Sequence, residues 1–261
     1  MLVDLKGKTA VVCGSTQGIG YAAAQGLAAA GATVVLIARN RDRLADVCQQ
    51  LPADDQSHRF LVADFSDPQN LQEVVSADVA DAGPAHILIN NTGGPPGGNI
   101  FDAELEAFEN AFTQHLKCNH VLAQTLVPGM KTAAFGRIIN VISTSVKQPL
   151  DGLGVSNTIR GAVANWAKTM SNELASFGIT VNNVLPGATA TQRLHSILEN
   201  KAKKSGATID EVAAKVKSAI PADRFAEAEE VANAIVFLAS RQASYITGIN
   251  LPVDGGRTKC L

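Results

Sequence analysis

The chain has 261 residues, 46% of them hydrophobic, and a formal net charge of -2 at neutral pH. This length suits one α/β domain with a large core, and the charge balance excludes a broad basic surface for nucleic acid. The four cysteines lack the spacing of metal ligands or of a disulfide framework (Cys13, Cys48, Cys118 and Cys260). We therefore expect a reducing compartment and no metal site.

Membrane and export signals are missing from the sequence. The first residues, MLVDLKGK, lack the apolar core of a signal peptide, and no stretch is long and apolar enough to cross a bilayer. By elimination we expect a cytoplasmic protein with no membrane partner.

The first predicted elements form a strand, a glycine-rich turn and a helix. Thr9 to Cys13 is a short, β-branched apolar run, as in a strand buried on both faces. Gly14, Gly18 and Gly20 follow closely, and Ile19 to Ala30 has the alanine-rich composition of a helix. Glycines allow a sharp turn, and a helix amino terminus attracts anions, so this segment predicts a phosphate cradle. A tight loop without a ligand is the alternative.

Strands and helices alternate along the rest of the chain. Further strands are predicted at Thr33–Ala38, Arg59–Val62, His86–Asn90, Arg137–Ser143, Thr180–Leu185 and Gly248–Val253. Further helices are predicted at Arg41–Leu51, Pro68–Ala82, Ala103–Thr132, Val155–Phe177 and Ala228–Ala239. The strands are apolar runs, which predicts a doubly wound, seven-stranded parallel α/β sheet with helices on both faces. Ligands should then bind beyond the carboxyl ends of the strands.

Three of these strand ends carry candidate binding residues. Arg39, followed by Asn40, lies about where an adenosine ribose would sit and is suited to a 2′-phosphate, although a solvated arginine in a polar turn is the alternative. Asp64 is suited to accept from an adenine amino group, or only helps the turn toward Pro68. Residues 90–98, NNTGGPPGG, either lie flat against a cofactor or form a plain surface loop.

Six segments in the expected order resemble the short-chain dehydrogenase/reductase family, especially its 3-oxoacyl-carrier-protein-reductase-like members. They are GSTQGIG (14–20), ADFSD (63–67), NNTGG (90–94), GRIINVIS (136–143), ITVNNVLPG (179–187) and YITGINLPVDGG (245–256). The resemblance covers nearly the whole chain. It implies one Rossmann-fold domain over residues 1–261 that transfers a hydride between a nicotinamide cofactor and a small carbonyl or alcohol. It also implies a homotetramer or homodimer.

The resemblance also implies a set of cofactor-binding residues. The first glycine loop would hold the pyrophosphate, the loop after the fourth strand the adenosine side, and the turn after the sixth strand the nicotinamide. The residues are Gly14, Ser15, Thr16, Gln17, Gly18, Ile19, Gly20, Arg39, Asn40, Asp64, Phe65, Asn91, Thr92, Gly93, Arg160, Pro186, Gly187, Thr189 and Thr191. The sequence ARN at 38–40 is similar to NADPH-preferring members, whereas Gln17 stands where many of those carry a basic residue. We predict NADPH, with NADH as the alternative.

The catalytic positions depart from the family pattern, which uses Asn, Ser, Tyr and Lys. Local register places Ser143 at the family serine, Ser156 at the tyrosine, Arg160 at the lysine and His115 at the asparagine, so only Ser143 matches. An aliphatic hydroxyl is a far poorer acid than a phenol, and arginine cannot release a proton as lysine can.

Two functions remain open at this point. One is a carbonyl reductase whose proton comes from His115, from a water held by the two serines, or from Lys147 or Asp151 in the loop between them. The alternative for His115 is a structural histidine that is hydrogen-bonded to a backbone carbonyl. The alternative for Lys147 and Asp151 is a solvated loop without a catalytic role. The other function is an NADPH-binding protein without turnover, acting as a sensor or as the partner of an active homologue.

A lid is predicted over the nicotinamide end, within residues 188–225. The segments 194–204 and 209–220 have apolar residues at helical spacing, which suggests a partly apolar substrate or simply a lid that packs on the body. Lys201, Lys203 and Lys204 would meet an anionic substrate such as an acyl carrier, or form a solvated face.

Overall fold

Seven parallel strands form one sheet in the computed structural model, which describes residues 3–260. The strands are β1 (Thr9–Cys13), β2 (Thr33–Ala38), β3 (Arg59–Val62), β4 (Ile87–Asn90), β5 (Gly136–Val141), β6 (Ile179–Pro186) and β7 (Asn250–Val253). Their order across the sheet is β3-β2-β1-β4-β5-β6-β7. The order reverses between β1 and β4, which opens a crevice at the carboxyl edge of the sheet. The predicted doubly wound sheet is confirmed.

Helices pack on both faces of this sheet. They are α1 (Gly18–Ala29), α2 (Arg41–Gln50), α3 (Pro68–Ala82), α4 (Leu105–Phe112), α5 (Cys118–Thr132), α6 (Gly154–Leu174), α7 (Gln192–Ser205), α8 (Ile209–Lys217) and α9 (Ala228–Ala239). Ala10 and Val12 of β1 pack in one apolar core with α1 and α9, whereas Val11 and Cys13 pack in a second core with α3 and α5. None of these four residues is more than 1% exposed, which explains why the strand is apolar throughout.

The predicted helix Ala103–Thr132 is wrong as a single α-helix. A π-helical turn at Thr113–Lys117 separates α4 from α5. A π turn takes more residues than an α turn, so it rotates the following residues onto a different face. Its buried member is His115, which therefore lies inside the protein at the edge of the crevice.

β5 ends two residues before the end of the predicted strand Arg137–Ser143. The hydroxyl oxygen of Ser143 accepts a hydrogen bond from the N–H of Ser145 at 3.1 Å, and this contact caps a 3₁₀ turn at Thr144–Val146. The chain therefore leaves the sheet at Ser143, which places that side chain at the crevice rather than inside the sheet.

Four asparagines form a ladder across β4, β5, β6 and β7. Asn90 donates from Nδ2 to Oδ1 of Asn140 at 2.8 Å, and Asn140 donates in the same way to Asn183 at 2.9 Å. Asn183 completes the ladder by donating to Asn250 at 2.8 Å. The parallel register aligns these residues directly, so each side-chain amide pairs with its neighbour, while Oδ1 of Asn90 at one end of the ladder has no partner in residues 3–260. The ladder fixes the relative positions of the strands that carry the crevice.

Replacing Asn140 by alanine is expected to lower the free energy of unfolding by about 2 to 5 kcal/mol, because a buried donor on Asn90 and a buried acceptor on Asn183 each lose their partner. Urea unfolding at one fixed protein concentration measures this loss. Asn250→Ala is the matched control, because it leaves a single donor unpaired and should cost about 1 to 2 kcal/mol. Equal losses of unfolding free energy in the two variants would contradict the pairing of Asn140 with both Asn90 and Asn183.

Candidate active site

The turn between β1 and α1 has the backbone geometry of a phosphate cradle. Gly14 and Gly18 have φ angles of +57° and +54°, in the left-handed region that favours glycine. A Cβ on Gly20 would lie 2.2 Å from the carbonyl oxygen of Gly14, so no side chain fits there. The side chain of Gln17 does not cap α1, and its first turn has no acidic residue. The N–H groups of that turn therefore remain available to an anion, and the turn fits a pyrophosphate.

Two further strand-end loops close on this turn. Asn91, after β4, donates from Nδ2 to the carbonyl oxygens of Cys13 and Gly14 at 3.3 Å each. Thr191, before α7, has its Cγ2 3.1 Å from the position that a Cβ on Gly18 would take. The loops after β1, β4 and β6 thus meet at one edge of the sheet.

The turn after β6 is held by short polar contacts. A Cβ on Gly187, next to Pro186, would lie 2.7 Å from Cα of Asp254, so the two loops are in close contact. The hydroxyl of Thr189, which is 5% exposed, donates to the carbonyl oxygen of Gly187 at 3.3 Å. The Thr191 side chain caps α7. These contacts give the predicted nicotinamide-side residues a defined backbone path.

Some of the predicted cofactor residues turn their side chains away from the crevice. Ser15 is fully buried, and its hydroxyl donates to the carbonyl oxygen of Ile37 at 3.4 Å. Phe65 is buried in the core that contains α3 and α5, whereas Ile19 of α1 packs against the core on the other face of the sheet. Thr16 is half-buried, and Gly93 is exposed with open space where a Cβ would be. The side chains of Ser15 and Phe65 therefore stabilise the loops, and only the backbone atoms of these two residues are available to contact a cofactor.

Basic residues border the adenosine end of the crevice. Arg39 Nη1 lies 4.0 Å from Asp64 Oδ2, and both side chains are exposed. Arg43 Nη1 donates to Oε1 of Gln17 at 3.5 Å, which brings a second arginine to the glycine turn. Sequence analysis missed Arg43. The available signal was Asn40, whose side chain caps α2 and so places Arg43 in the first helical turn.

The predicted catalytic residues Ser143, Ser156 and Arg160 lie just after β5 and in the first turns of α6. Ser156 and Arg160 are four residues apart on α6, so they share one face of that helix, and they are 9% and 8% exposed. Arg160 Nη1 donates to the carbonyl oxygen of Val141, the last residue of β5, at 2.7 Å. This contact holds the Arg160 guanidinium group against Val141, which is two residues before Ser143 in the chain. The structure thus places Ser143 and Arg160 in the crevice.

His115 lies in a buried environment that suppresses its positive charge. Its Nδ1 lies 2.6 Å from Oγ1 of Thr92, and its Nε2 is buried without a partner in residues 3–260. Burial first, and then the charges of Arg160 and Arg193, lower the pKa of His115 to about 3. His115 is therefore a neutral imidazole at physiological pH. The expectation of a histidine acid with an ordinary pKa is wrong, and so is the alternative of a backbone-bonded histidine.

Arg193 is a second residue that sequence analysis missed. It lies in the first turn of α7, and its Nη2 donates to the carbonyl oxygen of Pro95 at 2.6 Å. This contact joins the lid to the loop after β4. A Cβ on Gly94 would lie 3.3 Å from Nη2 of Arg193 and 3.7 Å from Nη2 of Arg160, so both guanidinium groups border the same point.

The other proposed proton donors lie in the loop between Ser143 and Ser156. Lys147 is half-buried and Asp151 is exposed, and neither side chain is placed against the two serines by a hydrogen bond or ion pair in the described residues. Ser145 is a third hydroxyl in this region, and its Oγ is buried without a partner.

The predicted lid consists of α7 and α8. Leu198 and Ala202 of α7 are buried, whereas α8 buries no residue and Ile209 is 37% exposed. The two helices pack against each other, so part of the apolar face of α7 is covered, whereas that of α8 is only partly covered. The lysines of α7 face solvent (Lys201, Lys203 and Lys204).

Within residues 3–260, no three histidine, cysteine or acidic side chains come together in the way that metal ligands do. None of the helices described there has the length and apolar composition needed to cross a membrane.

Comparison with known proteins finds similarity over the whole chain. A family model described as enoyl-(acyl carrier protein) reductase matches residues 14–258. The NADPH-dependent reductase BacG of Bacillus subtilis is 33% identical over 256 residues, which cover 97% of this chain and 99% of that protein. The 3-oxoacyl-[acyl-carrier-protein] reductase FabG of Escherichia coli is 30% identical, with 97% and 98% covered. L-sorbose reductase of Gluconobacter frateurii, solved with NADPH and L-sorbose, has a TM-score of 0.92 and 34% identity, with 100% of both chains covered.

The buried, neutral His115 predicts a pH-dependent loss of stability. Below its ordinary pKa of 6.5 the unfolded chain takes up a proton at His115 that the folded protein does not, so stability is lost as the pH falls from 6.5 toward 4. His115→Gln should make the free energy of unfolding fall less steeply over that range, as measured by urea unfolding at several pH values. His120→Gln removes an exposed histidine of α5 that accepts a hydrogen bond from Nε1 of Trp166, and it is the matched control for loss of an imidazole outside the crevice. Identical slopes for His115→Gln and wild type would show that His115 is not buried in neutral form.

Proposed function

We propose, from the premise that this chain belongs to the short-chain dehydrogenase/reductase family, that it is an NADPH-dependent oxidoreductase acting on the carbonyl group of a small molecule. The observation that carries the proposal is the glycine turn with its uncapped helix, closed by Asn91 and Thr191. The B. subtilis relative is described as NADPH-dependent, and the L-sorbose reductase was solved with NADPH, which agrees with the cofactor predicted from the sequence.

The residues of the crevice suit the parts of this cofactor. The N–H groups of the turn from Gly14 to Gly20 would bind the pyrophosphate. Arg39 and Arg43 would bind the 2′-phosphate, because a guanidinium group can make two parallel hydrogen bonds to a phosphate. When bound, the nicotinamide supplies a hydride to the carbonyl carbon.

Ser143 is oriented to hold the substrate oxygen. Its Oγ accepts from the N–H of Ser145 at 3.1 Å, which leaves the hydroxyl proton free to be donated to a carbonyl oxygen. Burial and the charge of Arg193 lower the pKa of Arg160 to about 10, so Arg160 remains protonated at neutral pH. Ser143 and Arg160 together would stabilise the negative charge that develops on the oxygen.

Water is the proton source that we propose. His115 is neutral, and Ser156 has an aliphatic hydroxyl that is a much weaker acid than the family's phenol. A water held by Ser143 and Ser156 would give its proton to the substrate oxygen, and the hydroxide ion would return to solvent. Such a site depends on positioning for its rate, because it lacks a strong acid.

We also propose a homodimer or homotetramer, with the cytoplasm as its location. Ile100, Phe101 and Leu105, at the amino end of α4, are 55%, 96% and 79% exposed. Exposed apolar side chains that lie this close together favour a subunit contact.

The role of Arg43 can be tested by cofactor binding. Arg43→Ala is expected to raise the Kd for NADPH by about 10-fold, because one charged hydrogen bond to the 2′-phosphate is lost. The Kd for NADH should not change. Isothermal titration calorimetry measures both constants. Arg41→Ala is the matched control, because that guanidinium faces the ring of Phe60 and should leave both constants unchanged. Equal weakening of NADPH and NADH by Arg43→Ala would remove Arg43 from the 2′-phosphate site.

The proposed function itself is tested by NADPH oxidation across a panel of ketones and 3-oxoacyl compounds. Ser143→Ala is expected to lower kcat by about 10²- to 10³-fold with an unchanged Kd for NADPH, because it removes the donor to the oxyanion. Ser145→Ala keeps the backbone N–H that orients Ser143, so it is the matched control and should retain activity.

If NADPH binds tightly but no carbonyl compound in the panel oxidises it, the reductase proposal is wrong. That result would favour the second function, a catalytically impaired NADPH-binding protein that acts as a sensor or as the partner of an active homologue. This second function is supported by Ser156 and Arg160, which stand at the positions predicted for the family Tyr and Lys.

A further inference from the structure

Two arginine side chains meet beside Gly94 with no acidic partner. Nη2 of Arg193 and Nη2 of Arg160 lie 3.3 and 3.7 Å from the position that a Cβ on Gly94 would take. Arg160 donates to the carbonyl oxygen of Val141, and Arg193 donates to that of Pro95. In the described part of the chain, neither forms an ion pair with an aspartate or glutamate. Two positive charges are therefore held together with only neutral acceptors.

This arrangement is electrostatically unfavourable without an anion. Arg160 is 8% exposed, and the charge of Arg193 adds to the effect of burial in lowering its pKa. Both arginines also help to keep His115 neutral. Buried charges in proteins are normally paired. An anion between the two guanidinium groups would supply the missing counter-charge and accept hydrogen bonds from both.

A third polar group in the same cluster lacks a partner. His115 is 3% exposed, and its Nε2 has no hydrogen bond in residues 3–260. Most buried polar atoms in proteins are hydrogen-bonded, so such an exception indicates a group that the chain itself does not provide. Nε2 of His115 is thus a third polar group near the two arginines that is available to a ligand.

The cluster lies at the reacting end of the crevice rather than at the pyrophosphate end. Arg160 is anchored to the end of β5, next to Ser143, whereas the glycine turn follows β1. β4 separates β1 from β5, so the two strand ends are about 10 Å apart. The pyrophosphate already has its own cradle. The unpaired arginines therefore face the part of the crevice that receives the substrate.

We propose that Arg160 and Arg193 bind a carboxylate group of the substrate, so that this protein acts on anionic carbonyl compounds such as oxo acids. The proposal rests on the proposed function and names its substrate class. Arg193 is the exposed member and comes from α7, so binding of the carboxylate would also draw the lid toward the loop after β4. Arg160 is the buried member and would fix the distance between the carboxylate and Ser143.

The test compares oxo acids with their methyl esters, which keep the carbonyl and lose the charge. Pyruvate, acetoacetate and levulinate place the carboxylate at three distances from the carbonyl. For at least one pair, the acid should have a kcat/KM about 10- to 100-fold above that of the ester, which is the range for a charged, two-point hydrogen bond. Arg193→Gln should abolish this preference, and Arg193→Lys should restore part of it. Lys215→Gln, an exposed charge change on α8, is the matched control and should keep the wild-type preference.

A binding measurement separates this inference from the proposed function. With NADP⁺ bound there is no hydride to transfer, so calorimetric titration of the same acids and esters reports recognition alone. Acids that bind more tightly than esters, without any NADPH oxidation, would leave the subsite standing and remove the reductase proposal. Acids and esters that bind equally would overturn the subsite. So would an Arg193→Gln variant that weakens NADPH binding and keeps the acid preference, because the anion would then be a cofactor phosphate.

Discussion

The hydrogen bonds from Asn91 to the carbonyl oxygens of Cys13 and Gly14 are the contact on which the crevice depends. They tie the loop after β4 to the glycine turn after β1, at the point where the strand order reverses. They hold the loop after β4 against the backbone of the turn, beside Gly14 in its left-handed conformation. The asparagine ladder extends the same principle across β4 to β7, because paired amides fix where each strand ends. Side chains at those ends then have defined relative positions.

The predicted catalytic residues of the crevice include one positively charged guanidinium group, Arg160, and one neutral imidazole, His115. Arg160 is longer and more rigid than a lysine, and its guanidinium reaches both Val141 and the space beside Gly94. His115 stays neutral beside it, first because burial disfavours its charged form and then because Arg160 and Arg193 are positive. The burial of His115 and its two cationic neighbours therefore keep it from holding the proton that a general acid needs.

The strands and the glycine turn could be predicted from the sequence, because apolar β-branched runs and glycine spacing are local signals. The π turn at His115 could not, since Thr113–Lys117 carries no local mark of a longer helical turn. The positions of Arg43 and Arg193 at the crevice were also missed. Both lie in the first turn of a helix, where the direction of a side chain depends on the residue at which the helix begins. The asparagines are visible in the sequence, but their pairing follows only from the register of the sheet.

Positive charges without an acidic partner in the crevice indicate a negatively charged substrate. A buried cation without a counter-charge makes the ground state unfavourable, because nothing repays the cost of its desolvation. Here two arginines converge on Gly94, where the absence of a side chain leaves room for a ligand. A carboxylate on the substrate would neutralise one charge in the ground state and leave the other for the oxygen that becomes negative. The same two arginines would then account for binding, for orientation toward Ser143 and for the replacement of the family lysine.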